Sequence, residues 1–134
     1  MLTVVAALIE RDDRLLVCQR RRDGRFGLRW EFPGGKAEPG ETPERALERE
    51  LLEELGVVAH IGAEVYRTQH KYREMPQAID LVFFAARITG EPRNLDFERI
   101  AWREPAALSQ LDFLPADREL IGKLSTGSLQ LPKV

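Results

Sequence analysis

The stretch from Gly35 to Val57, GKAEPGETPERALERELLEELGV, constrains the fold of this chain more than any other. It continues a glycine-rich turn, Phe32-Pro33-Gly34-Gly35, through a loop that ends at Gly40. A helix is predicted from Thr42, whose hydroxyl suits the N-cap, with Pro43 at the first helical position and Glu44 near the positive end of the dipole. Ala46 to Leu55 are all strong helix formers, and Gly56 supplies the stop. At about 100° per residue, Glu50, Glu53 and Glu54 share an arc roughly 100° wide, with Leu47, Leu51 and Leu55 on the adjoining arc.

The leucines should pack on a core, which brings the acids to the edge of that contact. Like charges at this spacing cost an isolated helix roughly 0.2–0.5 kcal/mol per pair. A divalent cation offsets such a cost, since hard oxygens suit Mg²⁺, often held by few carboxylates together with substrate phosphates. A plainer reading stands beside this one. Arg49 and Glu53 are spaced as an i,i+4 ion pair, and solvated glutamate-rich helix faces look much the same.

The longer pattern separates the two. Gly35, Glu41, Arg49, Glu50, Leu51, Glu53, Glu54, Leu55, Gly56 and Val57 fill every fixed position of G-x5-E-x7-R-E-U-x-E-E-U-G-U, where U is bulky and apolar. On these residues the chain is identified as a member of the Nudix hydrolase family, with its Nudix box at 35–57. The resemblance implies an α+β fold: an α/β/α sandwich with a mixed β-sheet and a loop-helix-loop catalytic motif, with residues 1–134 as a single domain. It also implies that Glu50, Glu53 and Glu54 bind metal, with the Gly35 carbonyl as a further ligand. Glu50 or Glu53 would take the proton of the attacking water. Arg49 would orient the glutamates by ion pairing, and Glu41 would steady the loop. Mg²⁺ is the expected cofactor, with Mn²⁺ as a substitute. A later loop often adds another acid in this family; Asp96, six residues before Trp102, matches it best, and Glu98 is the second candidate. A solvated loop acid is the alternative for both.

Such a cluster suits hydrolysis of a phosphoanhydride, which needs neutralised phosphates, a positioned water and a stabilised leaving group. The flanks bear on the substrate. Glu31-Phe32-Pro33-Gly34-Gly35-Lys36 and Phe113-Leu114-Pro115-Ala116-Asp117 resemble the MutT-like branch, which cleaves nucleoside triphosphates to monophosphate and pyrophosphate. The candidate substrate contacts are Arg20, Phe32, Gly34, Lys36 and Asp117. Arg20 ranks above Arg21 and Arg22, and Phe32 is either a base-stacking ring or a core aromatic. The branch places an Asn or Asp at the base. Asp117, when ionised, only accepts hydrogen bonds, which suits amino donors such as those of cytosine; protonated, it also suits a guanine edge. 8-oxo-dGTP and CTP or dCTP are therefore comparable substrates, and sanitising the nucleotide pool, a DNA-repair role, is the expected function. Alternatives are a nucleotide sugar or dinucleoside polyphosphate, and a non-catalytic nucleotide-binding module. The intact acids disfavour the latter.

The remainder narrows the class. The chain has 134 residues, 43% apolar and 31% charged, and a net charge of −2, which gives no general attraction to nucleic acid or anionic membrane. No stable nucleic-acid partner and no membrane association are expected. The arginines from Arg20 to Arg25 form either a solvated loop or a positive rim near a phosphate site. One cysteine, Cys18, excludes an internal disulfide and reads as a buried thiol. With no basic leader at the N-terminus, a reducing cytoplasm fits, as a monomer or homodimer. His60 and His70 read as surface or strand residues.

Strands are expected at Thr3–Glu10 and Arg14–Gln19, paired as a hairpin about Asp12-Asp13, then at Trp30–Phe32 before the glycine turn. Val57–Tyr72, bent at Gly62, Ala78–Ile88 and Arg99–Arg103 complete the set, with Trp102 pointing inward. A short helix is expected from Pro105 to Leu108, a last helix from about Pro115 to Gly127, and a loosely held tail from Ser128.

Overall fold

The computed structural model describes Met1 to Val134. Strand β1 (Leu2–Arg11) is its axis. It runs parallel to β6 (Ile79–Thr89), in register from Leu2↔Ile79 to Ile9↔Ala86. On its other side β4 (Gly34–Lys36) pairs antiparallel, and β5 (Val58–His70) closes the far edge against β6. A smaller antiparallel group, with β2 (Arg14–Gln19) between β3 (Trp30–Glu31) and β7 (Arg99–Arg103), joins at the end of β1. Helix α1 (Pro43–Leu55) covers one face, and α2 (Arg118–Thr126), with two 3₁₀ turns, covers the other. This is the mixed-sheet sandwich expected from the sequence.

Alternation along β1 explains the layers. Val5, Ala7 and Ile9 meet Leu47, Leu51 and Leu55 of α1, while Ala6 and Leu8 share the opposite core with Leu120, Ile121 and Leu124 of α2. A strand buried on both faces reads as a continuous apolar run, as it does here. Helix α1 begins as the sequence requires: Thr42 Oγ1 accepts from the Arg45 N–H at 3.2 Å, and Gly56 ends it at φ 66°, its N–H donating to the Leu52 carbonyl. Cys18 is wholly buried on the α1 side, and burial is the main cause pushing its thiol well up.

Several expectations need correction. The expected hairpin about Asp12-Asp13 is present, both residues taking the positive φ of a tight turn, but its ladder is short, with only Glu10↔Leu15 and Arg11↔Arg14 paired. The place beside β1 is taken instead by Gly34-Gly35, which form a strand rather than a turn. Glycine is needed there, since a Cβ on Gly34 would overlap the Val5 carbonyl. The segment from Pro105 is a 3₁₀ turn reaching Gln110. The last helix starts late because Trp30 holds the chain extended: its N–H donates to the Asp112 carbonyl at 2.9 Å, and its carbonyl accepts from Leu114 at 3.0 Å. A 3₁₀ turn, Pro115–Asp117, then leads into α2. The tail is docked, not loose. Leu129 and Leu131 pack on the α2-side core, and Val134 lies on Gly62. β5 carries bulges between Ile61 and Tyr66, matching the expected bend. Trp102 is half-buried under the Arg11 guanidinium, 5.3 Å from its ring centre.

Candidate active site

Helix α1 delivers its acids to different surroundings. Glu54 is buried, and its Oε1 accepts the Gly34 N–H at 3.0 Å, tying the helix to β4. Burial, then the charges of Glu31 and Glu50, push its carboxyl up to about 9. Glu50 lies against Gly35 so closely that an added Cβ would stand 2.7 Å from both its oxygens. Its carboxyl is also raised, chiefly by burial, with Arg49 opposing the shift. Glu53 is turned outward, its side chain 59% exposed.

Arg49 holds the loop and the helix together. Its Nε and Nη2 donate to the two oxygens of Glu41 at 2.8 and 3.0 Å, a two-pronged bond. Nη1 donates to Glu50 at 2.9 Å and Glu53 at 3.4 Å, and Nη2 also reaches the Lys36 carbonyl at 3.1 Å. Glu41 additionally accepts the Glu38 N–H at 2.8 Å. Arg49 first and that N–H second hold its carboxyl down at about 2.

Glu50, Glu54 and Gly35 line a cavity of about 620 Å³ whose wall also includes Gly34, Lys36, Asp96, Phe32 and Asp117, whereas Glu41, Arg49 and Glu53 stand outside that wall. Asp96 stands close enough for its charge to oppose ionisation of Glu31, Glu50 and Glu54. Glu98, the other loop acid considered, is engaged by Arg22 at 2.8 Å. Asp117 is 3% exposed, and burial followed by the charge of Glu31 raises its carboxyl well above the usual range. Phe32 belongs to the core, packed on Phe113 and Phe83 with ring centres 5.4 and 6.1 Å away, yet it borders the cavity. Arg20 pairs with Glu31 at 3.0 and 3.1 Å, and Arg21 also lines the wall. The basic run is thus partly a rim and partly structural. His60 and His70 line no part of the cavity.

Two site residues escaped the sequence reading. Glu31 lies between the acids of α1 and Asp117, and its charge is felt by both Glu54 and Asp117. An acid flanked by two buried aromatics, Trp30 and Phe32, is the signal that marks it. Tyr72 accepts the Ala116 N–H on its hydroxyl at 3.1 Å and so fixes the segment bearing Asp117. A buried tyrosine within a polar loop offers a weaker signal.

The donor set fits a hard divalent cation. No three acidic, histidine or cysteine side chains close a cage by themselves. Magnesium does not require one, because it keeps several waters and takes one or two carboxylates plus phosphate oxygens. A buried carboxyl held neutral beside Glu31 and Glu50 is a natural place for such a charge to be received.

A NUDIX-domain profile matches residues 1–124. The chain belongs to the NUDIX family. This NUDIX chain is 36% identical over 122 residues to the CTP pyrophosphohydrolase of Escherichia coli K12, covering 90% of the chain and 89% of that protein. It is 39% identical over 128 residues to the 8-oxo-dGTP diphosphatase of Haemophilus influenzae, covering 92% and 91%. The solution structure of the E. coli ORF135 protein matches with a TM-score of 0.81 at 36% identity, over 91% of this chain and 86% of that one. A MutT protein from Methanosarcina mazei shares the fold at 18% identity, with a TM-score of 0.83 and 96% of each chain covered. The chain is accordingly a NUDIX hydrolase. No helix is long and apolar enough to cross a membrane.

Proposed function

We propose that this enzyme hydrolyses a nucleoside triphosphate to the monophosphate and pyrophosphate with Mg²⁺, acting on an oxidised or cytidine-type nucleotide. The observation that carries the reading is that one cavity holds both Glu50 and Glu54 of α1 beside Gly34-Gly35 and the buried Asp117. The names of the E. coli and H. influenzae relatives, CTP pyrophosphohydrolase and 8-oxo-dGTP diphosphatase, support the same two substrates.

Glu50, Glu54 and the Gly35 carbonyl would hold the cation, with Asp96 adding charge from its loop and Glu53 standing further out. When bound, the cation neutralises phosphate oxygens and favours ionisation of a coordinated water. The rest falls to the chain. Lys36, Arg20 and Arg21 attract the polyphosphate, and the glycine strand lets it approach the backbone. Arg49 fixes Glu50 at 2.9 Å and holds Glu53 more loosely at 3.4 Å, so Glu53, turned outward here, is the freer of the two to swing towards the attacking water and accept its proton. Asp117 meets the base. Burial, then the charge of Glu31, favours its neutral form, and a neutral carboxyl can donate as well as accept, so the same residue would serve an amino group of cytosine or the mixed edge of oxidised guanine.

The enzyme belongs in the reducing cytoplasm on this reading, its only thiol being buried. The deciding experiment incubates the pure protein with Mg²⁺ and CTP, dCTP, 8-oxo-dGTP, ADP-ribose and dinucleoside polyphosphates. Pyrophosphate and a monophosphate are the expected products. Release of orthophosphate would overturn the cleavage site, and equal turnover of every common triphosphate would overturn base reading by Asp117.

A further inference from the structure

The segment Arg93 to Glu98 is anchored along its whole length. The Arg93 N–H donates to the Leu55 carbonyl at 2.8 Å and the Leu95 N–H to the Glu54 carbonyl at 3.1 Å, so one end hangs on the last turn of α1. Asn94 closes on Phe97, accepting its N–H at 2.8 Å and donating to its carbonyl at 2.9 Å, while Phe97 is buried in the α1-side core. At the other end Arg22 grips Glu98 three times, through its backbone N–H at 3.2 Å, Nε at 3.2 Å and Nη2 at 2.8 Å. The Glu98 N–H in turn donates to the Gln19 carbonyl at 2.9 Å. Asp96 is held between these anchors, on the cavity wall.

We propose that Arg22 and Glu98 are positioning residues: their clasp sets where the Asp96 carboxylate stands and thereby raises the affinity of the acid cluster for a divalent cation. The same clasp ties that cluster to the arginine loop, since Arg20 is two residues from Arg22 and pairs with Glu31 inside the cavity. A role in general stability is a poor account of it. Arg22 is 73% exposed, and pairs so exposed contribute little to folding. Three donors on one carboxylate do fix direction, however, and direction is what Asp96 needs. This inference rests on the proposed binding of metal by Glu50, Glu54 and Asp96.

The test titrates the full chain with Mn²⁺, followed by electron paramagnetic resonance without nucleotide, for wild type, Glu98→Gln, Asp96→Asn and the double variant. Glu98→Gln should weaken Mn²⁺ binding about tenfold, the range known for groups that orient metal ligands, and should weaken it no further once Asp96 is Asn. Exchanging the charges, Arg22→Glu with Glu98→Arg, should recover affinity lost in Glu98→Arg alone. In turnover, Glu98→Gln should lower kcat at limiting Mg²⁺, regain it at saturating Mg²⁺ and leave the nucleotide KM unchanged. Wild-type Mn²⁺ affinity in Glu98→Gln, or an equal loss with and without Asp96, overturns the clasp while leaving the proposed function standing. Absence of Mn²⁺ binding by the wild type, without nucleotide and with a non-hydrolysable nucleoside triphosphate alike, overturns both.

Discussion

Glu50 and Glu54 at one end of the cavity come from a single helix held against the short strand β4, whereas Asp117 at the other end is positioned by distant parts of the chain. Glu50 and Glu54 need only α1, β4 and the loop that Arg49 closes. Asp117 needs Trp30 to hold Leu114, Tyr72 to hold Ala116, and α2 to follow. The first arrangement is local and fixed by helix geometry. The second depends on tertiary contacts, so it can vary while the first is retained. On the proposed function, chemistry and choice of base would thereby be separable.

The largest expected effect tests the local end. Glu54→Gln and Glu53→Gln should each lower kcat about 10²–10³-fold, the loss typical of a group acting on developing charge, with pyrophosphate release measured under saturating Mg²⁺. A small change in either would remove that acid from the reaction. Arg49→Ala should follow with a loss of about 10–100-fold, because it frees Glu41, Glu50 and the Lys36 carbonyl at once; circular dichroism should show the helix retained. Asp117→Asn addresses the distant end. It should shift the ratio of kcat/KM between dCTP and 8-oxo-dGTP by about tenfold while pyrophosphate release persists, since exchanging one hydrogen-bonding group changes discrimination more than chemistry. Loss of all turnover instead would mean that the two ends are not separable.

The smallest effect is on stability. The Glu54 carboxyl rises from 4.5 to about 9 on folding, so its stabilising contribution is complete below pH 4.5 and is lost as pH climbs towards 9. Glu31 and Asp117, also raised, act in the same direction. Glu41, lowered to about 2, acts oppositely and loses its contribution as pH falls below 4.5 towards 2. Thermal melts in EDTA should therefore show Tm falling by a few degrees between pH 6 and 9, and Mg²⁺ should restore more at pH 8 than at pH 6. An alkaline plateau in EDTA would contradict the buried, neutral Glu54.

The same contrast explains what the sequence disclosed. Helix α1, its cap at Thr42 and its stop at Gly56 follow from local propensity, and Arg49 pairs with Glu41 beside it. The layered sandwich followed from the order of strands and helices and from the Nudix resemblance, while β1 itself reads as one continuous apolar run. What local rules missed was decided by partners far away in sequence. The Gly34-Gly35 strand exists because β1 lies beside it, and the tail docks because the α2-side core accepts Leu129 and Leu131. Glu31 reads locally as one polar residue in a strand; only the fold brings Arg20, Glu54 and Asp117 around it. The spread of the helix acids was likewise beyond periodicity, which places Glu53 beside Glu54 but not their opposite exposures.

The sealed thiol has a consequence for where such a catalyst can operate. Peroxide attacks exposed thiolates first, and Cys18 is neither exposed nor readily ionised. If the proposed activity on oxidised nucleotides holds, the enzyme must keep working during the very bursts of oxidants that create them, and this chain presents no accessible sulfhydryl by which such a burst would switch it off.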